Sequence, residues 1–285
     1  MTTTPASTGT PPRESPGLIY GARRIFAMSL VQMLWSRRTV FMALVVGLPV
    51  VIALVLRLLF EAGVPFARVG RGPVAGPVIF GFMIWGFFVR LSIPVLAIFY
   101  GTSLMADEVE DKTLTYLFTR PIPRGSVLLG KYLAYVVCTV SVVLPSVMVV
   151  WLLIVPIGAR LGPAFPSLLK DLALLALGLA VYGAVFALAG STLKRPLVFG
   201  LVFVFGWELL VVALPGYLKK ATVAYYLQGL VPHAMPTDST VAVFETFFHE
   251  VPSLTESLVG LAVIGLLALV LAVRAVASRE YVLEQ

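Results

Sequence analysis

Residues able to take part in polar chemistry are concentrated in one stretch of this sequence, residues 101–131. Four of the fourteen acidic residues of the chain lie within five positions of it, and basic residues follow. They are Asp107, Glu108, Glu110 and Asp111, then Lys112, Arg120, Arg124 and Lys131. Charges of both signs at this density can orient a partner protein through complementary charge. The chemistry that we expect here is recognition of another protein.

The same stretch carries a local helix pattern. Leu114, Leu117 and Phe118 are spaced i, i+3 and i+4, which places them on one face of a short helix. The sequence Thr-Arg-Pro-Ile-Pro at 119–123 then ends that helix, because proline lacks a backbone donor and restrains the residue before it. The pattern predicts a short amphipathic helix suited to docking into a partner. The alternative is an ordinary solvated loop that carries charges only because it meets water.

The elements around this stretch belong to a membrane protein. Of 285 residues, 59% are hydrophobic and 12% charged, against roughly 25% charged in soluble domains. The mean hydropathy is +0.99. Because the single cysteine, Cys138, lies in an apolar run, neither an intrachain disulfide nor a cysteine-rich metal site is expected. The net charge of +7 does not indicate nucleic-acid binding, since its meaning depends on where the charges lie.

Six apolar runs meet the length of about 20 residues that a membrane-spanning helix needs. They lie near 39–59, 78–100, 132–155, 171–191, 196–214 and 257–276. With the amino terminus in the cytoplasm, thirteen lysine and arginine residues fall inside and six outside. The excess of positive charge in cytoplasmic segments then orients the chain. We expect an all-α polytopic protein with both termini and residues 101–131 in the cytoplasm.

The amino-terminal residues precede the first span in two parts. Residues 1–17 are rich in Thr, Pro, Ser and Gly and are expected to form a disordered tail, not a signal peptide. From Leu18 to Trp35, apolar residues recur at helical spacing while arginines and polar residues occupy other faces. This pattern predicts an amphipathic helix that lies in the membrane interface, ahead of a single transmembrane domain over 18–280.

The stretch from Ala106 to Lys131 resembles the signature loop of membrane subunits in ABC-2-type transporters, which are ATP-binding-cassette export permeases. That loop reads E-x-E-x-x-T-L-x-x-L-L-[ST]-x-P-[IV]-x-R, followed by G-K. The matching residues are Glu108, Glu110, Thr113, Leu114, Leu117, Thr119, Pro121, Ile122, Arg124, Gly130 and Lys131. Phe118 replaces the usual second leucine. Six spans, the interfacial helix and a long last external loop also fit this family.

The resemblance implies a mechanism and partners. The loop would form a coupling helix seated in a cleft of a separate ATPase subunit, which binds ATP and Mg²⁺, so this chain would need no cofactor. The apolar seat would be Leu114, Leu117 and Phe118, oriented by the charged residues Asp107, Glu108, Glu110, Asp111, Arg120 and Arg124. The turn Leu193–Pro196, with Lys194 and Arg195, would make a second contact. Two such permease subunits would form the translocation path in the plasma (inner) membrane.

One motif suggests ATP binding by the chain itself and fails on inspection. Residues 125–131 satisfy G-x-x-x-x-G-K, the beginning of a phosphate-binding loop. The next residue is Tyr132, so the hydroxyl that would hold magnesium is missing, and no strand precedes the segment. We therefore expect a transport subunit that is not an enzyme.

Two charged residues fall deep inside predicted spans, where charge is costly and often functional. Arg90 and Glu208 lie at similar depths in spans two and five, about 6 Å apart along the membrane normal. We expect an ion pair that ties the two spans together, since pairing makes buried charges tolerable. The alternative is that both line the path and contact a polar substrate.

The last external loop, 215–256, contains two moderately apolar pieces, 221–230 and 240–248. Their aromatic residues predict two short helices on or in the outer leaflet, rather than a disordered linker. His233, Met235 and His249 could suggest a metal site, but two histidines without paired cysteines are a weak ligand set, and no metal is predicted.

Two other functions stay open at this level. A membrane anchor would recruit a cytoplasmic protein without transporting anything. A secondary transporter would couple to ions, but no inverted repeat is visible and Glu208 is the one intramembrane carboxylate available for it. The transported substrate does not follow from the sequence.

Overall fold

The computed structural model describes residues 18–35, 37–63, 68–69, 72–73, 76–104, 124–157, 159–208, 210–211, 217–231 and 252–278. Residues 1–17 of the amino-terminal tail, residues 105–123 of the polar stretch and residues 232–251 of the last external loop fall outside these ranges. The predictions made for those residues therefore stay predictions.

The described chain is almost entirely helical. Its helices are α1 (Leu18–Leu34), α2 (Arg37–Glu61), α3 (Gly76–Gly101), α4 (Arg124–Ile154), α5 (Leu161–Thr192), α6 (Pro196–Glu208), α7 (Val223–Gln228) and α8 (Leu254–Ser278). A 3₁₀ turn covers Tyr217–Ala221. Two short antiparallel strands, β1 (Arg68–Val69) and β2 (Gly72–Pro73), lie between α2 and α3.

Five helices are long and apolar enough to cross a bilayer: α2, α3, α4, α5 and α8. They coincide with five of the six predicted spans, because a continuous apolar run can satisfy its backbone in lipid only as a helix. The remaining predicted span, 196–214, is represented by α6, a shorter apolar helix.

Two helices begin well before the predicted spans. α4 begins at Arg124 and not near residue 132, so the last quarter of the polar stretch 101–131 is helix. α5 begins at Leu161, ten residues before the predicted span 171–191, so most of the residues between the third and fourth predicted spans are helical as well. Both extensions have one cause. Hydropathy locates the segment that suits hydrocarbon, whereas a helix continues beyond the bilayer wherever nothing stops it.

α3 and α6 contain wide π-helical turns. In α3 these cover Ile84–Ser92 and Ala97–Gly101, and in α6 they cover Phe203–Glu208. A π turn forms i to i+5 hydrogen bonds and is frequent at functional sites. Arg90 lies in the first of these turns and Glu208 ends the last, so both intramembrane charges are carried by π-helical backbone.

The core lies where α3, α4 and α5 pack together, and its largest fully buried side chains include Tyr100, Tyr135 and Tyr182. α8 packs along α5, and α2 packs against α4. At one end of the bundle the backbones of α3 and α5 approach closely. A Cβ at Gly190 would lie 2.3 Å from the carbonyl oxygen of Thr102, which no real contact allows. Glycine is therefore required there.

α1 packs extensively along α4 and scarcely touches α2. Leu30 and Met33 of its predicted apolar face lie against the core. Met28, Val31 and Trp35 are nevertheless 75%, 61% and 89% exposed. The helix thus presents apolar side chains both to the bundle and away from it.

Candidate functional site

The residues predicted to dock a partner lie almost wholly outside the described residues. These are Asp107, Glu108, Glu110, Asp111, Leu114, Leu117, Phe118 and Arg120; of Arg124 only the backbone is described, as the first residue of α4. The chain segments on either side of these residues, at the end of α3 and in the first turns of α4, are held together. The Lys131 ammonium on α4 donates a hydrogen bond of 3.2 Å to the carbonyl oxygen of Leu104, just beyond α3. The polar segment 105–123 is therefore bounded by two helices that are joined at its base.

The predicted second contact lies at the tight turn between α5 and α6. Leu193 leaves α5 in an extended conformation, and Pro196 begins α6 at a position where its missing N–H costs nothing. Lys194 and Arg195 are exposed in between. Because Gly190 precedes this turn and Thr102 lies near the start of the polar segment, the two predicted contact regions adjoin the same end of the bundle.

The seven residues of the G-x-x-x-x-G-K match, Gly125 to Lys131, lie inside the first turns of α4. A phosphate-binding loop needs an irregular backbone between a strand and a helix, so that several N–H groups point at the phosphates. In a helix these N–H groups are committed to helical hydrogen bonds, apart from those of the first turn. The segment therefore has the wrong backbone for a phosphate-binding loop.

A buried polar cluster lies at the other end of α6. The carboxylate of Glu208, only 2% exposed, accepts a hydrogen bond from the Tyr182 hydroxyl at 2.5 Å. Its second oxygen accepts one from the backbone N–H of Val223 at 3.2 Å, and the N–H of Ala224 also donates to the carboxylate. Glu208 thus binds the first N–H groups of α7, a position where a negative charge is favourable.

α7 is drawn into the bundle, since every residue from Val223 to Gln228 is buried. It packs against α8, α5 and α3. The sequence analysis was right to expect a helix within 221–230. The sequence analysis expected that helix on or in the outer leaflet; the structure shows that it is buried in the bundle, with its N-terminus on the carboxylate of Glu208.

The residues on either side of α7 are tied down as well. Lys220 forms an ion pair of 3.0 Å with Glu256, in the first turn of α8. The hydrogen bond to Glu256 raises the pKa of Lys220 above its ordinary value. Thr222 is the N-cap of α7 and accepts a hydrogen bond from the N–H of Tyr225.

Arg90 lies near this cluster, within electrostatic range of Glu208. Its guanidinium lies over the Trp85 ring, 4.9 Å from the centroid. Among the described residues, no contact of 4.0 Å or less joins Arg90 to Glu208. The structure places the two charges in one region, but without direct contact between them. The nearest partners of Glu208 are a tyrosine and a helix N-terminus.

The sequence analysis missed Tyr182 and the N-terminus of α7. One signal was available for Tyr182, because a tyrosine within a long apolar run needs a partner for its hydroxyl. Nothing in the spacing identified that partner as Glu208. His233, Met235 and His249, considered for metal binding, lie outside the described residues. The two predicted charges in the membrane region, Arg90 and Glu208, lie within the described residues, and so does Tyr182.

Comparison with known proteins gives a family. A search of curated proteins gave no significant match. Residues 22–279 match the sequence model of a family described as ABC-2 family transporter protein, which covers all the helices described above except the first residues of α1. That match confirms the resemblance drawn from the polar stretch, and the apolar helices make the chain an integral membrane protein. The chain belongs to the ABC-2 family of transporter proteins.

Proposed function

We propose that the chain is the permease subunit of an ATP-driven exporter, in which a separate ATPase subunit supplies the energy. The observation that carries the proposal is the family match over residues 22–279, within which lies the charged segment 105–123 between two joined helices. Two permease subunits would enclose the path, with both termini and the charged segment in the cytoplasm.

The finer architecture belongs to the same proposal. We infer six spans, with α6 as the core of the fifth and its outer part continuing toward residue 214. α1 would lie in the cytoplasmic interface of the plasma membrane. Its exposed Met28, Val31 and Trp35 favour contact with lipid, while the neighbouring arginines of the sequence favour anionic headgroups.

Coupling would act through the segment 105–123. An apolar stripe of Leu114, Leu117 and Phe118 would seat in the ATPase, and the acidic and basic residues around it would fix the orientation. Closure of the ATPase on ATP would then displace the segment. Because α3 ends just before this segment and α4 begins directly after it, both helices would receive the motion. The turn at Lys194 and Arg195 would make a second contact with the ATPase.

Co-purification tests this proposal. The tagged chain, expressed with the ATPase genes of its own source, should bring down an ATP-hydrolysing protein. Phe118→Asp should abolish the association, because a charge would enter the apolar seat. Phe118→Leu is the matched control, since leucine is the usual residue of the family loop, and it should retain the partner.

The rival function is a passive membrane anchor that recruits a cytoplasmic protein. An anchor would also co-purify with its partner, so the decisive measurement is ATP hydrolysis by the reconstituted complex. In an exporter, the hydrolysis rate depends on the membrane subunit and falls with Phe118→Asp. A rate identical with and without the permease would exclude the exporter.

A further inference from the structure

Arg90 is a charged side chain inside a candidate membrane span, and the described residues leave its hydrogen-bond donors without an acceptor. A guanidinium carries five donors and stays charged in proteins. In the described part of the chain, no hydrogen bond or ion pair reaches it; it lies over the face of Trp85 and within electrostatic range of Glu208. A charge in this position is expected to find an acceptor, so its donors are available to a group outside the described residues.

Glu208 does not supply the acceptor that the Arg90 donors lack. Its carboxylate already accepts hydrogen bonds from Tyr182, Val223 and Ala224, and it is almost completely enclosed. Three donors offset much of its charge locally. Arg90 is only partly buried. Of the two intramembrane charges, the positive one is therefore the one that a ligand can reach.

The backbone around Arg90 leaves room for such a ligand. Gly86, one turn before it, is exposed, and an added Cβ there would meet nothing within 4 Å. Helical side chains lean toward the N-terminus of their helix, so Arg90 extends toward this open turn. The π-helical turn supports the arrangement, because its wider turn brings residues five apart closer together than an α-helix does, and Arg90 lies above the ring of Trp85.

This open face is unsuited to the lipid hydrocarbon, since an unpaired charge there is costly. Under the proposed function, on which this inference rests, the face would border the translocation path. We propose that Arg90, backed by Trp85, binds the anionic group of an amphiphile: one carboxylate or phosphate on an apolar body. The forked guanidinium matches two oxygens of such a group. The partly exposed Phe87 and Leu91 beside it suit an apolar body.

Equilibrium binding of radiolabelled dodecyl phosphate to the full-length chain in phosphatidylcholine nanodiscs tests the site. We expect saturable binding that unlabelled dodecyl phosphate and dodecanoate displace and that dodecanol does not. Arg90→Gln should weaken binding by about tenfold or more, and Arg90→Lys by less, because lysine keeps the charge but loses the fork. Arg57→Gln is the matched control: Arg57 is already paired with Glu61 at 2.8 Å, so binding should not change.

Two results would overturn the proposal: equal displacement by dodecanol and dodecyl phosphate, or unchanged binding in a folded Arg90→Gln variant. The ligand series on the unmodified chain decides the matter even where that variant does not fold. Nanodiscs containing phosphatidylglycerol separate the two sources of the anion. Competition by this lipid assigns the site to a membrane phospholipid, whereas persistent binding assigns it to a single-chain amphiphile.

This assay needs no ATPase and so stands apart from the test of the proposed function. Binding without a co-purifying ATPase would leave the anion site in place and remove the exporter. A co-purifying, permease-dependent ATPase without selective binding would keep the exporter and remove the anion site.

Discussion

Two regions of the bundle are closed by different physical means. Near Gly190, α5 meets the end of α3 through backbone contact so close that no side-chain atom fits between them. Near Glu208, α6 meets α5 and α7 through a few directed hydrogen bonds to one carboxylate. We call these the glycine closure and the carboxylate closure.

The two closures differ in the number and strength of the contacts that hold them. Close packing gains from many small contacts and loses them together when atoms shift, so the glycine closure has one favourable geometry. Hydrogen bonds to a carboxylate are strong but few, and α7 is a short helix that depends on them. The carboxylate closure therefore depends on a small number of directed partners, while the glycine closure depends on the close packing of two helices.

The largest effect is expected at the glycine closure. Gly190→Ala forces a methyl group against the Thr102 carbonyl, and separation of the helices should cost about 3 kcal/mol or more. The measurement is the apparent melting temperature in detergent, followed by the loss of the monodisperse chromatographic peak.

Gly47→Ala, in α2, is the matched control because an added Cβ there meets nothing within 4 Å. Alanine also favours helix over glycine, so this variant should be as stable as the parent chain. Equal melting temperatures for the two alanine variants would contradict the packing argument.

The carboxylate closure should respond less, and in a coupled way. Tyr182→Phe removes the hydrogen bond to the carboxylate, and Glu208→Gln removes the negative charge that strengthens it; each should cost about 1.5–3 kcal/mol. Since both changes act on the same hydrogen bond, the double variant should be more stable than the sum of the two changes predicts. Melting temperatures of the four proteins give the coupling energy.

A second double-mutant cycle, with Arg90→Gln in place of Tyr182→Phe, gives the coupling energy between Arg90 and Glu208, the ion pair expected from the sequence. This energy is compared with the coupling energy between Tyr182 and Glu208. The structure has no direct contact between Arg90 and Glu208, so the coupling should be weaker than with Tyr182. A stronger coupling, with rescue of Glu208→Gln by Arg90→Gln, would restore the direct ion pair.

The smallest effect is expected at Lys220 and Glu256, which join the segment before α7 to α8 at an exposed position. Glu256→Gln should shift the melting temperature little, because exposed ion pairs contribute little and salt screens them. The pKa of Lys220 is raised, so the contribution of the pair is complete below the ordinary pKa of lysine and is lost at higher pH. Any stability difference from the parent chain should therefore disappear in strongly alkaline solution. A difference that grows with pH would refute this account.

The sequence predicted the long spans well, because hydrocarbon imposes both composition and length on them. It predicted less about α6, whose described part is shorter than the proposed span, and nothing about the π-helical turns that carry Arg90 and Glu208. Those turns depend on how neighbouring helices fit, which a hydropathy profile does not contain. The polar stretch identified the family from residue identity rather than from hydropathy.

The buried cluster shows the same limit. Depth along two spans brought Arg90 and Glu208 to a similar level, and the structure places Arg90 within electrostatic range of Glu208 but not in contact with it. It could not say which helix faces which, since that depends on rotation about each axis. Tyr182 and the N–H of Val223 therefore became the partners of Glu208 without any sign in the spacing of the chain.

The length of α4 has a mechanical consequence. Its 31 residues extend for about 46 Å, well beyond a hydrocarbon core of about 30 Å. From Arg124 to Leu144 the helix has no interior proline, so a tilt imposed at its first turn travels along it as along a stiff rod. Pro145 then removes one backbone hydrogen bond and supplies an articulation. The terminal turns near Ile154 can consequently tilt by a different angle from the segment between Arg124 and Leu144.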